Sequence, residues 1–132
     1  MRTLAVFAAR MTRTRAVRLI ACGLLLTRCG GSPSAPTDAA ATITLTATGL
    51  TPTEVRVPAF SKELFINNDV RTHDMNSDPV TGHTDCPAIN AVGALAPGES
   101  RSTGTLAVPR TCGFHDHNNQ FDAAWKGRII VQ

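Results

Sequence analysis

The chain has 132 residues, with 13 Lys and Arg against 10 Asp and Glu, a formal charge of +3 when its four histidines are neutral. Six of the basic residues are arginines among the first 29, a stretch without acid, so the other seven face all 10 acidic residues at about −3. That balance removes the main support for a nucleic-acid partner, which needs a basic face, and the length beyond a leader allows one domain.

The basic stretch Arg10 to Arg18 precedes an apolar run, Leu19-Ile20-Ala21-Cys22-Gly23-Leu24-Leu25-Leu26. This reads as an export signal over residues 1–29, too short to persist as a membrane span. Met11 begins a more usual leader than Met1. Cys29 ends the run and is followed by Gly30-Gly31-Ser32-Pro33-Ser34-Ala35-Pro36. That arrangement resembles the lipobox of bacterial lipoproteins. The resemblance implies a lipid on Cys29, a membrane anchor, and a place in the periplasm or on the outer face of the envelope. Arg28 departs from the small residue wanted there. Cys22 and an ordinary signal peptide are the alternatives. Residues 30–41 are a flexible Gly/Ser/Pro/Ala tether.

From residue 42 the pattern changes. Thr42 to Thr48 alternates polar and apolar and predicts a half-buried strand, with a turn over Gly49 to Pro52. Val55 to Val57 and Glu63 to Asn67 are further short strands, the second ending in the turn signal Asn67-Asn68-Asp69. Val70 to Met75 is a strand carrying His73. Asn76 to Pro97 is rich in loop residues, with one or two helical turns over 88–95. Glu99 to Leu106 alternates weakly as a strand. Pro109 leads into a loop, Thr111-Cys112-Gly113-Phe114-His115-Asp116-His117, and Arg128 to Val131 closes the chain as a strand. Short strands, frequent turns and no helical period predict an all-β sandwich or barrel over 42–132. Trp125, Phe60, Phe65, Phe114 and Phe121 are its largest core candidates. So small a core gains from a cross-link by disulfide or metal.

An electron-transfer copper site needs two imidazoles, one thiolate and a weak axial ligand. Cys112 and His115 are spaced so that one loop supplies two ligands, and His73 supplies a third from a neighbouring strand. Several segments then fall into order: Asn67-Asn68-Asp69 before His73, Leu95-Ala96-Pro97-Gly98-Glu99-Ser100, Cys112-Gly113-Phe114-His115, and Trp125-Lys126-Gly127-Arg128-Ile129-Ile130-Val131. Together they resemble the cupredoxins, the plastocyanin-like family, over roughly residues 42–132. The resemblance implies a Greek-key β-sandwich and a blue-copper site of His73, Cys112 and His115, passing single electrons to a redox or copper-handling partner. The family's axial Met is replaced by Gln120, whose side-chain oxygen is a known substitute. Met75 shares a strand face with His73 and is a second candidate, or simply core.

Cys86 opens another reading. An exported domain with two cysteines is expected to bridge them, here closing a loop of about 26 residues worth roughly 3 kcal/mol. Cys112 would then carry no thiolate. His73, His83, His115 and His117 would form an all-nitrogen set suited to Cu(II), for storage or delivery, or the domain would act as a metal-free interaction module. Asp69, Asp74, Asp78 and Asp85 are read as turn residues. Ser100 and Ser102 lack a His partner, and no G-x-S-x-G, H-E-x-x-H or P-loop pattern occurs, so no enzyme is expected.

Overall fold

The computed structural model describes residues 38–132. The expected signal segment, Cys22, Cys29 and most of the tether lie outside the described residues. No helix among the described residues is long and apolar enough to cross a membrane.

Among the described residues, nine strands form two sheets. β1 (Ala39–Thr46), β2 (Gly49–Thr51), β4 (Lys62–Asn67) and β7 (Ser100–Ser102) make a sheet in the order β2-β1-β4-β7. β3 (Glu54–Val57), β5 (His73–Ser77), β6 (Gly93–Leu95), β8 (Arg110–Asp116) and β9 (Lys126–Val131) make the other, in the order β3-β9-β8-β5-β6. β1 runs parallel to β4 and β3 parallel to β9, and the other pairings are antiparallel. This is the all-β sandwich expected. β1 begins at Ala39, inside the segment read as tether, because its N-terminal end pairs with Lys62 and Glu63.

The alternation that marks β1 works as predicted: Ile43 and Leu45 are fully buried, with the more exposed Thr44 between them. They meet Phe65 of β4 and, from the facing sheet, Met75, Phe114, Ile129 and Val131. Phe65 and Phe114 join the sheets edge to face, with ring centroids 5.2 Å apart. Such a pair adds about 1 kcal/mol beyond its area burial. Two expected core aromatics are on the surface instead. Phe60 is 76% and Phe121 is 88% exposed, each in a segment between strands.

Two local readings change. The 88–95 stretch becomes a 3-10 helix, Pro87–Ala91, followed by β6. More consequential is β8. The run expected as a ligand loop is a strand through Asp116, paired with β9 from Arg110 to His115 and with β5 from Phe114 to Asp116. Pairing on both edges overrides the weak strand propensity of Gly113, His115 and Asp116.

Candidate metal centre

A strand points successive side chains to opposite faces. Along β8, Cys112, Phe114 and Asp116 face the core, and Gly113 and His115 face outward. Met75 pairs with Asp116 and Asn76 with His115, so His73, two residues from Met75, lies on the core side. His73 and Cys112 are therefore on the opposite face from His115. The expected His73, Cys112 and His115 set does not converge. A Cys-x-x-His spacing brings two ligands together in a loop and separates them in a strand.

Cys112 is also engaged elsewhere: its sulfur is bonded to Cys86. No thiolate is present for copper, which corrects the blue-copper expectation and bears out the alternative disulfide. The bridge fastens the segment after β5 to the middle of β8.

His73 is fully buried with both ring nitrogens committed. Nδ1 lies 2.8 Å from Asp116 Oδ2, and Nε2 lies 3.1 Å from Asp69 Oδ2. Burial disfavours charge on Asp116, but hydrogen bonds from His73, Asn119 and the backbone N–H groups of Asp74 and Asn118 outweigh it and hold its carboxyl below the ordinary range. Asp69 is lowered likewise: burial is opposed by the Val70 N–H, Arg71 and His73. Trp125 stacks on the imidazole at 4.2 Å, and the Arg71 guanidinium lies 5.5 Å from the Trp125 ring centroid. This is a closed hydrogen-bond network in which both ring nitrogens already have carboxylate partners, and a metal does not fit it. Met75 is core packing beside it.

The other three histidines meet on the outer face. Each of His83, His115 and His117 offers a nitrogen within 4.8 Å of the other two, a separation one metal ion can span. Their ring centroids are 5.0 to 5.9 Å apart. His115 comes from β8. His117 follows in the 3-10 turn His117–Asn119, started by the Asp116 side chain accepting the Asn118 N–H. His83 comes from the loop after β5 with a left-handed backbone, φ 52, held by its N–H on the Pro79 carbonyl and its own carbonyl on Asn90.

The donor set passes a direct test of fit. His115 Nδ1 lies 2.7 Å from Asp78 Oδ1, and His83 Nδ1 lies 3.0 Å from the Ser77 carbonyl. Both acceptors take a proton from Nδ1, which leaves Nε2 of each ring as the free lone pair. His115 Nε2 is buried without any hydrogen-bond partner. A metal ion would satisfy it. Gln120, expected as an axial ligand, has a buried, unpartnered Oε1, in the turn beyond His117.

Sequence reading singled out neither Asp116 nor Asp78 as part of a site. The signal for the first was present: read with period two, His115-Asp116-His117 places both histidines on one side and the aspartate on the other. Asp78 gave none, because a turn-forming Asp before Pro79 already explains itself.

Solved structures of low sequence identity share the fold. A purple cupredoxin from Nitrosopumilus maritimus superposes with a TM-score of 0.55 at 16% identity, covering 70% of this chain and 99% of that one. Amicyanin from Paracoccus versutus gives 0.60 at 14%, covering 76% and 88%. A variant amicyanin in its Cu(I) form gives 0.56 at 13%, covering 76% and 89%. No family model matches the chain, and no curated protein matches it. The likeness shows the cupredoxin fold.

Proposed function

We propose that this chain is a copper-binding module on the cupredoxin fold that holds its metal through His83, His115 and His117, for storage or delivery. The observation that carries the reading is the buried, unpartnered Nε2 of His115, on a ring that offers a nitrogen within 4.8 Å of those of two other imidazoles. Three neutral imidazoles suit Cu(I) and Cu(II). Zinc also accepts them, but copper stands above it in affinity for nitrogen sites, and a protein of the same fold carries Cu(I). One-electron cycling at a thiolate site has no support here, since Cys112 is bridged and His73 is occupied.

The reading includes an exported chain with its leader at 1–29, a lipid on Cys29, a domain from about residue 42, a copper-handling partner protein and no catalytic role. These rest on the sequence pattern.

The test is titration of the metal-free chain with Cu(I) and Cu(II) against a competing chelator. One equivalent binds, without an intense thiolate charge-transfer band. His115→Ala lowers the affinity about 100-fold or more, in line with the loss of a first ligand outweighing that of an outer contact. His73→Gln leaves the stoichiometry at one. Binding that survives loss of all three outer histidines, or a strong visible band abolished by Cys112→Ser, overturns the reading.

A further inference from the structure

We propose that Asp78 is the positioning residue of the three-histidine site, fixing the His115 tautomer that leaves Nε2 bare for a metal shared with His83 and His117. The metal part of this inference rests on the function proposed above. Asp78 directly follows Ser77, the last residue of β5, and its Oδ1 lies 2.7 Å from His115 Nδ1 on the adjacent strand. A neutral imidazole carries one proton, and the nitrogen that faces a carboxylate keeps it. The remaining lone pair is the buried Nε2, which finds no partner in the protein. Leaving such an atom unsatisfied is unfavourable, and a bound metal ion would relieve that cost.

The strand is shaped to receive this carboxylate. Gly113 lies two residues before His115, hence on the same face of β8, and its carbonyl accepts the Asp78 N–H at 2.9 Å. A Cβ on Gly113 would collide with Oδ2 and Cγ of Asp78. Gly113 does not occupy the left-handed region, so the missing side chain serves space rather than backbone conformation. The neighbouring residue repeats the device: the Ser77 carbonyl holds Nδ1 of His83. Consecutive residues at the end of β5 thus orient two of the three rings, one by a backbone acceptor and one by a side chain that mutation can remove.

The test uses Asp78→Ala, Asp78→Asn and Gly113→Ala in the full chain, with two measurements. Two-bond proton–nitrogen correlation spectra of the metal-free protein report which nitrogen of His115 carries the proton. The wild type shows the Nδ1–H tautomer alone. Asp78→Ala shows a mixture, and Asp78→Asn, whose amide oxygen still accepts, stays closer to wild type. Copper affinity by chelator competition falls about 10- to 100-fold in Asp78→Ala, the range for loss of an outer hydrogen-bond partner of a ligating His. It falls less in Asp78→Asn, and Gly113→Ala follows Asp78→Ala by pushing the carboxylate out. An Asp78→Ala protein with the wild-type tautomer and affinity overturns the proposal even if it melts earlier. If Asp78→Ala does not fold, Asp78→Asn and Gly113→Ala decide by the same two readouts. A wild type that takes up no copper defeats the three-histidine reading, while the tautomer spectra still decide the role of Asp78.

Discussion

Glu63 sits fully buried on the Phe65 side of β4, where Ser61 Oγ donates to its Oε1 at 2.7 Å and Thr103 reaches Oε2 at 3.5 Å. Burial raises its carboxyl above the ordinary value, and these two hydrogen bonds only partly offset the rise. A carboxyl raised in the fold binds its proton more tightly folded than unfolded. Its stabilising contribution is present below the unfolded value and is lost as pH climbs through the raised folded value. Glu63→Gln is therefore expected to be more stable than wild type at neutral pH, with the gap closing in acid. Urea midpoints across that pH range check this, and a gap that widens in acid refutes it. The His73 network makes the opposite demand. His73→Gln leaves buried Asp116 without its main donor and is expected to cost about 3 kcal/mol, as breaking one side of a buried pair does. Equilibrium unfolding should record that loss while copper stoichiometry stays unchanged.

Between elements, the decisive contact is the bridge from Cys86 to Cys112. It ties the long connection after β5 to β8, closing a loop with a sequence separation of 26. Replacing both cysteines with alanine should cost about 3 kcal/mol, mainly by freeing the unfolded chain. Calorimetry of the double variant, compared with the oxidised wild type, reads this directly, and an unchanged midpoint would show that the bridge contributes nothing. β9 offers a second check. Phe114 and the Thr53 carbonyl press against Gly127 where a side chain would stand. Gly127→Ala forces them apart, with an expected loss of about 1–3 kcal/mol. Gly127 was legible only as part of the motif of the closing strand. Its packing role belongs to the pairing of β8 with β9, which local sequence does not encode.

At the level of the whole molecule, the two faces of one sheet have divided the chemistry. The core face of β5 and β8 carries the occupied His73 network, and the outer face carries the open imidazoles. Copper binding should then stabilise the fold by linkage, about 2.7 kcal/mol at a free concentration one hundred times the dissociation constant. A melting-temperature rise that depends on copper, and is absent in a variant lacking His83, His115 and His117, is the expected result. A rise that persists in that variant would place the metal elsewhere.

The sequence by itself determined the strands of period two, the sandwich they form, the pair of cysteines able to bridge, and the four histidines as the candidate donors. These are local properties: alternation and turn residues act within a few positions, so they can be read in order along the chain. Which histidines share a site was decided by tertiary structure. Pairing on both edges carried β8 through Asp116, so Cys112 and His115 fell on opposite faces, and the partner set for His115 changed from His73 to His83 and His117. Only the three-dimensional neighbours of Asp78 and Asp116 showed that one carboxylate orients an open imidazole and the other closes one.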